Sequence, residues 1–287
     1  GGRRTFRFFE PSMDENARAR LQLQQDLRRA IAEGQFELHY QPLLCFSSNV
    51  MTGCEALLRW RHPERGMVPP LDFIPLAEDT GLINEIGDWV MRTACAEAAS
   101  WPSDIRIAVN VSPVQLKSPT LALRIAGALS AAGLTPERLE VEITEAVLIS
   151  DDNVALGILH QLHDMGVRIA LDDFGTGYSS LSYLKRFPFD KIKIDRCFVS
   201  DIGAGSSSAI VQAVVSIAAA SNMTTTAEGV ETGAQQSALR ELGCTEMQGY
   251  LFSPPRPAAE VRALFAAHRA DGRTASSFGR GPRSDAA

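Results

Sequence analysis

Residues 168–181 read RIALDDFGTGYSSL, and this stretch predicts one strand, loop and helix in succession. A short apolar run ends in Asp172 and Asp173, a glycine-rich loop follows, and a helical pattern begins at Leu181. Consecutive strand side chains point to opposite faces, so two adjacent acids cannot both lie in one hydrophobic layer. Either a divalent cation holds them, because hard cations bind carboxylate oxygens, or they form a turn that caps the next helix.

The same alternation extends over most of the chain. Candidate strands lie at 36–43, 49–60, 105–112, 139–144, 168–174, 190–195, 224–230 and 246–252, and candidate helices at 72–79, 84–99, 119–132, 152–165, 179–186, 206–221, 233–242 and 258–268. Strands that alternate with helices predict βαβ units and a parallel sheet. About eight such units in about 250 residues match a (β/α)8 barrel. The rival, a doubly wound open sheet, usually carries a glycine-rich fingerprint after its first strand, and this chain has none.

Composition and charge restrict the class of protein. Of the 287 residues, 45% are hydrophobic and 22% are charged, which is an ordinary globular composition. The net charge of −6 argues against binding to a nucleic-acid polymer. No apolar run is long enough for a membrane span, and no signal-peptide pattern opens the chain. We therefore expect a cytoplasmic domain without membrane contact of its own, although upstream segments could anchor a longer protein.

The two ends of the chain differ from its centre. Residues 1–18 are polar and are interpreted as a linker from an upstream domain, and residues 19–268 as one folded domain. Residues 269–287 are rich in Gly, Ser, Arg and Ala and are expected to be disordered. The five cysteines show no zinc-type spacing and are expected to be reduced thiols: Cys45, Cys54, Cys95, Cys197 and Cys244.

Polar side chains lie at or near the end of nearly every candidate strand. In a barrel all strands point the same way, so their carboxyl ends meet at one mouth. Acids gathered there must be protonated, paired or bound to metal, and metal binding explains all of them at once. The residues are Gln41, Glu55, Arg59, Asn110, Glu142, Thr144, Asp172, Asp173, Lys193, Asp195, Glu228 and Gln248.

Several of these residues have simpler interpretations when each is taken alone. Glu55 would be a surface acid, and Asn110 would be a cap or turn former. Lys193 would lie on the solvated face of an edge strand. Glu228 and Glu231 would cap the following helix. A shared site replaces these separate explanations with one cause.

The same residues carry a resemblance to a known family. The motifs are QPL from Gln41, EAL from Glu55, NVS from Asn110, EITE from Glu142, DDFGTGYSSL from Asp172, KID from Lys193, AEGVE from Ala227 and QGYLFSPP from Gln248. Taken in this order, over residues 20–268, they resemble the motifs of the EAL-domain phosphodiesterases. Members of that family hydrolyse cyclic di-GMP, a bacterial second messenger, to linear pGpG.

The resemblance implies a fold, cofactors and partners. The fold would be a modified (β/α)8 barrel whose first strand is antiparallel to the others. The cofactors would be two divalent cations, Mg²⁺ or Mn²⁺, and Ca²⁺ is expected to inhibit hydrolysis. The protein would form a homodimer, and its upstream domain would be regulatory or of the GGDEF (diguanylate cyclase) type.

The resemblance also implies which residues bind metal and act in catalysis. The metal ligands would be Glu55, Asn110, Glu142, Asp172, Asp173 and Glu228, with Asp172 as the bridging ligand. Glu55, Lys193 and Glu228 would be required for catalysis. Lys193 would contact the attacking water, and either Lys193 or Glu228 would take its proton.

Further residues would bind the substrate or support the metal ligands. Gln41, Arg59 and Asp195 would contact phosphate or guanine. Glu145 would fix the loop that starts at Asp173, Gln248 would hold a water at the metal site, and Glu231 would be a second supporting acid.

Two other functions compete with hydrolysis. One is a catalytically silent EAL domain that binds cyclic di-GMP as a receptor; such domains usually lack a metal ligand or the loop motif, and this chain has both. The other is an interaction module that binds neither nucleotide nor metal. The retained acid cluster argues against it. The resemblance therefore implies a metal-dependent phosphodiesterase specific for cyclic di-GMP.

Overall fold

The computed structural model describes residues 11–149, 153–175, 184, 186–202 and 206–270. The helices are α1 (Pro11–Ala32), α2 (Pro70–Thr80), α3 (Ile83–Ala99), α4 (Leu121–Ala132), α5 (Ala146–Ile149), α6 (Asn153–Asp164), α7 (Arg196–Ser200), α8 (Ser206–Ala220), α9 (Gly233–Glu241) and α10 (Ala258–Ala270). The strands are β1 (Phe36–Cys45), β2 (Met51–His62), β3 (Gly66–Val68), β4 (Arg106–Asn110), β5 (Leu139–Thr144), β6 (Arg168–Phe174), β7 (Lys191–Ile194), β8 (Thr224–Ala227), β9 (Glu246–Met247) and β10 (Arg256–Pro257).

Eight of these strands close into a barrel. Their order is β1–β9–β8–β7–β6–β5–β4–β2, and a pairing between β2 and β1 completes the ring. From β2 through β4 to β9 all pairings are parallel, whereas β1 is antiparallel to β9. Strands β10 and β3 add antiparallel pairs to β1 and β2. The expected barrel with an antiparallel first strand is therefore confirmed, and the open-sheet alternative is wrong.

The described residues fall into two compact units. The barrel unit comprises Leu38–Leu57 and the residues from Gly87 onward, and the smaller unit comprises the residues up to Glu37 together with Leu58–Ile86. Arg59 therefore belongs to the smaller unit, and every other predicted site residue belongs to the barrel unit.

Aromatic rings form the centre of the smaller unit. The ring of Trp60 lies 6.0 Å from that of Phe36 and 5.4 Å from that of Phe73, measured between centroids. All three side chains are buried. Rings at this spacing add specific edge and face contacts to the burial of apolar surface, so they hold this unit together.

The predicted and observed elements agree closely, with a few differences at the ends. The strands predicted at 139–144 and 168–174 have those exact bounds. The strand predicted at 246–252 ends at Met247 instead. Beyond it the backbone of Gly249 packs against that of Val230, and a Cβ there would lie 2.1 Å from the Val230 oxygen.

Some predictions fall near or beyond the described ranges. Helix α1 begins inside the predicted linker, and helix α10 ends at Ala270. Most of the predicted helix at 179–186, and the tail from 271 onward, lie outside the described residues. Among the residues that the structure describes, no helix has both the length and the apolar character needed to cross a bilayer.

The strands bury both faces, as parallel barrel strands do. In β5 the buried apolar residues alternate with Glu140 and Glu142, and each glutamate forms an ion pair with a lysine of β7. Strand β6 lies between β5 and β7 in the sheet, so these ion pairs cross the interior of the barrel. The acids therefore face inward and the apolar residues face the helices.

A first layer of charged groups fills the barrel at the amino ends of the strands. Nζ of Lys191 lies 2.6 Å from Oε1 of Glu140 and 2.7 Å from Oε2 of Glu246. Arg106 donates to the other oxygen of Glu246 at 2.9 Å, and the Thr226 hydroxyl donates to Oε2 at 3.2 Å. We call Lys191, Glu140, Glu246 and Arg106 the lower ion cluster. Lys191, Glu140 and Glu246 are buried, Arg106 is partly exposed, and all four charges are paired, which is the condition under which buried charges are tolerated.

We expect Glu246 to make the stability of the protein depend on acid pH. Burial alone would raise the pKa of Glu246, but Lys191 and Arg106 outweigh burial and lower it to about 2. A carboxyl whose pKa is lower in the folded state stabilises the fold above its unfolded pKa, and this stabilisation is lost as the pH falls towards the folded pKa. Glu246→Gln should therefore flatten the loss of unfolding free energy between pH 4.5 and pH 2.

Urea unfolding at a series of pH values measures this effect. The control is Glu260→Gln, which changes an acid of α10 that is 55% exposed and pairs with Arg256. The control should keep the pH dependence of the wild type. Equal pH dependence in Glu246→Gln and the wild type would show that Glu246 is not held ionised by its neighbours.

Candidate active site

Asp172 and Asp173 lie at an irregularity at the end of β6. The pairing register between β6 and β7 shifts between Leu171 and Phe174, and Asp173 has a φ of 55°, in the left-handed region. Such a bulge redirects side chains. Carboxylate oxygens of Asp172, Asp173 and Glu228 consequently lie within 4.8 Å of one another. The two adjacent acids can therefore serve one site, although regular strand geometry would separate them.

Lys193 lies among four carboxylates. Its Nζ lies 2.6 Å from Glu228, 2.8 Å from Glu142, 3.2 Å from Asp172 and 3.7 Å from Glu55. The side chain is 1% exposed, and β7 has a neighbour on each side, so its interpretation as a residue on a solvated edge is wrong. Burial alone would lower the pKa of Lys193, but the carboxylates hold it well above its ordinary value.

One lysine does not neutralise this many acids. Burial, together with the charges of Glu55 and Asp172, raises the pKa of Glu142 well above its ordinary value despite Lys193. Burial and Asp172 likewise raise the pKa of Glu228 to about 8. Oε1 of Glu142 is buried and has no hydrogen-bond partner among the described residues. The surplus of buried negative charge is what a divalent cation would neutralise.

Glu55 is held in place by two amide groups. Nδ2 of Asn110 donates to Oε1 at 2.7 Å, and Nε2 of Gln248 donates to Oε2 at 2.6 Å. Burial alone would raise the pKa of Glu55, but Lys193 and these two donors hold it below its ordinary value. Glu55 is 6% exposed, so its interpretation as a surface acid is wrong.

Gln41 extends this arrangement away from Glu55. Its Oε1 accepts a hydrogen bond from Nε2 of Gln248 at 3.0 Å, and its own amide donates to the carbonyl oxygen of Ser253 at 3.1 Å. Both glutamines are buried. Gln41 thus links Glu55, through Gln248, to the segment after β9, and its contact with substrate stays a prediction.

Asp195 and Glu231 lie close to the first residues of helices. Asp195 is the N-cap of α7, where its Oδ1 accepts a hydrogen bond from the Cys197 amide at 2.9 Å. Helix α9 is capped by Thr232, which forms a capping box with Gln235. Its interpretation as a helix capped by the two preceding glutamates is therefore wrong.

The predicted roles of Glu145 and Arg59 concern a loop and a substrate that their described contacts do not test. Glu145 follows β5 and is buried, and the loop that it is predicted to fix lies mostly outside the described residues. Nη1 of Arg59 donates to the Leu58 carbonyl oxygen at 2.8 Å. The predicted roles of both residues stay predictions.

Comparison with known proteins identifies the family. Residues 24–255 match the family model described as EAL domain. The chain belongs to the EAL domain family. This EAL domain is 51% identical over 257 residues to an uncharacterized signaling protein of Caulobacter vibrioides, which covers 89% of this chain and 32% of that protein. The expectation drawn from the motifs is confirmed.

Two further comparisons concern proteins named MucR. The bifunctional diguanylate cyclase/cyclic di-GMP phosphodiesterase MucR of Pseudomonas aeruginosa is 46% identical over 270 residues, or 92% of this chain and 39% of that protein. The solved structure of the PaMucR phosphodiesterase in complex with c-di-GMP superposes with a TM-score of 0.80 at 46% identity and covers 84% of this chain and 99% of that chain. The EAL domain thus spans well under half the length of these curated relatives.

Proposed function

We propose that this EAL domain hydrolyses cyclic di-GMP to linear pGpG with the help of two divalent cations. The observation that carries the proposal is the surplus of carboxylates around Lys193, most of them buried, which lie at the carboxyl ends of the barrel strands. The names of the MucR proteins, a phosphodiesterase and a complex with c-di-GMP, support the choice of substrate.

The side chains present fit cations of the magnesium or manganese type. All the donors are hard oxygen atoms, which these ions prefer: Glu55, Asn110, Glu142, Asp172, Asp173 and Glu228. Oε1 of Glu142 has no hydrogen-bond partner within the described part of the chain, and the carboxylates of Asp172, Asp173 and Glu228 lie close together, which supports this assignment. When bound, the two cations would lower the pKa of a water molecule and neutralise charge on a phosphate oxygen.

In our proposal Lys193 and Glu228 have different roles towards the attacking water. Surrounded by carboxylates, Lys193 keeps its positive charge, and an ammonium group donates hydrogen bonds but cannot accept a proton. Glu228 lies 2.6 Å from it and is 21% exposed, so a water molecule can reach its carboxylate. In our proposal Lys193 therefore orients the water and Glu228 takes up its proton.

The other residues position ligands and substrate. Asn110 and Gln248 hold the carboxylate of Glu55 in one orientation. Arg59 would hold a substrate phosphate in a bidentate fork. Gln41 and Asp195 would also contact the substrate. We further propose that the domain works as a homodimer and under the control of an upstream regulatory or GGDEF domain.

A turnover assay with different cations tests the proposal. The purified protein is incubated with cyclic di-GMP in Mg²⁺, Mn²⁺, Ca²⁺ or chelator, and pGpG is measured by chromatography. We expect pGpG with Mg²⁺ or Mn²⁺, little with Ca²⁺, which tolerates looser geometry, and none with chelator. Tight binding of cyclic di-GMP without product over hours would instead identify a receptor. Absence of any stabilisation by Mn²⁺ on heating would argue for a module that binds no metal.

A further inference from the structure

A cavity lies between α3 and α4 of the barrel unit, and none of the residues assigned to hydrolysis lines it. Its volume is about 230 Å³. Pockets for drug-sized ligands are larger, at about 300–1,000 Å³. The cavity therefore has room for a small organic molecule.

Arg124 lines this cavity, and one edge of its guanidinium group makes no hydrogen bond to the described residues. Its Nη1 donates to both carboxylate oxygens of Asp88, at 2.9 Å each. Its Nε and Nη2 are buried and have no hydrogen-bond partner among the described residues. These two nitrogens form the edge of a guanidinium group that binds a carboxylate or phosphate through two parallel hydrogen bonds. The Arg124 side chain lines the cavity and is 28% exposed.

The remaining walls combine positive charge with apolar surface. Arg92 also lines the cavity, so its lining contains two arginines and one acid, Asp88. Met91 and Ile125 are buried and supply apolar contact. An occupant that suits these walls carries a negative charge at one end and a compact apolar group at the other.

Gly127 contributes open space to the cavity. It lies inside α4 without a positive φ, and a Cβ at this position would meet no atom within 4 Å. Glycine is a poor helix former, and neither backbone conformation nor packing explains it here. The absent side chain leaves open space at the cavity wall, which a larger residue at this position would fill.

We propose that this cavity binds a small organic oxyanion, either a phosphomonoester or a carboxylate, that carries a compact apolar group. The oxyanion accepts hydrogen bonds from Nε and Nη2 of Arg124 and lies beside Arg92. The apolar group packs on Met91 and Ile125. The site is separate from the carboxylates around Lys193, so it does not depend on the proposed hydrolysis.

Isothermal titration with simple probes tests the proposal. The probes are phenyl phosphate and phenylacetate, with benzyl alcohol as the neutral comparison, all in chelator so that no cation recruits an anion to the carboxylates. Arg124→Met removes the guanidinium edge, and Gly127→Leu fills the cavity. The matched control is Arg262→Met, which removes another arginine that pairs with both oxygens of a single acid, Glu97, at 2.7 Å.

We expect saturable one-to-one binding of at least one anionic probe. Its affinity should fall about tenfold or more in Arg124→Met and Gly127→Leu, because a charge-assisted pair of hydrogen bonds is lost or excluded, and should be unchanged in Arg262→Met. Binding of one probe alone assigns the ligand as phosphate or carboxylate. No saturable binding, equal affinity in Arg124→Met, or equally tight benzyl alcohol would overturn the proposal. If Gly127→Leu does not fold, Arg92→Met takes its place with the same expected loss.

Discussion

Glu55→Ala should abolish hydrolysis of cyclic di-GMP, with kcat/KM lowered by at least about a thousandfold. The substitution removes a proposed metal ligand and leaves the amides of Asn110 and Gln248 without their shared acceptor. Lys193 also loses one of its four carboxylates, so the remaining charges rearrange. Initial rates of pGpG formation measure the loss, and the shift of the unfolding temperature by Mn²⁺ measures metal binding separately.

Two further variants separate charge from shape. Glu55→Gln keeps the size of the side chain but loses its charge, and we expect it to be nearly as inactive as the alanine variant. Glu260→Ala removes an exposed acid of α10 and should leave the rate unchanged. Near-normal turnover in Glu55→Ala would exclude Glu55 as a metal ligand. If Glu55→Ala were inactive but still fully stabilised by Mn²⁺, Glu55 would be a catalytic residue and not a metal ligand.

The position of the site could be predicted from the sequence because it depends only on where strands end. Glu142 and Lys193 occupy their predicted strands, and a parallel barrel brings such residues together whatever the details of packing. The antiparallel first strand could not be derived in this way. The alternation of FELHYQPL, residues 36–43, is the same for either strand direction, so only the family resemblance implied it.

The relation between Asp172 and Asp173 was also beyond the sequence pattern. Period-two alternation sends adjacent side chains to opposite faces, and the register shift in β6 breaks that alternation. Aspartate tolerates the left-handed conformation that Asp173 adopts better than most residues. A backbone irregularity of this kind leaves no mark in hydrophobic periodicity. The adjacent acids and the family resemblance suggested a common site, but the geometry that brings the two side chains together emerges only from the fold.

The lower ion cluster was missed for a different reason. Glu140 lies two residues before Glu142, and Lys191 lies two residues before Lys193, so the motif residues repeat one layer down the barrel. The repeat was visible in EVE and KIK. The structural role of this repeat could not be predicted from the sequence. Only the closed barrel shows that both layers face the interior and that Glu246 completes the lower layer.

Lys193→Met should destabilise the metal-free protein by about 3–5 kcal/mol, which is the usual effect of breaking a buried ion pair. Lys193 is the cation that lies nearest to Glu228, Glu142 and Asp172, and methionine fills a similar volume without charge. A divalent cation bound by the same acids would replace the lost charge. Mn²⁺ should therefore stabilise Lys193→Met more than it stabilises the wild type, while hydrolysis stays about a hundredfold or more below normal.

Lys191→Met is the matched control, because it makes the same substitution on the same strand one layer lower. It leaves Glu140 and Glu246 without their shared lysine and should also lower the free energy of unfolding, measured with urea in chelator. Arg106 still pairs with Glu246, so the lower layer offers a divalent cation less negative charge. Mn²⁺ should restore the stability of Lys193→Met and not that of Lys191→Met. If Mn²⁺ stabilised both variants equally, any unpaired buried acid would attract the ion. The carboxylates around Lys193 would then not form a specific metal site.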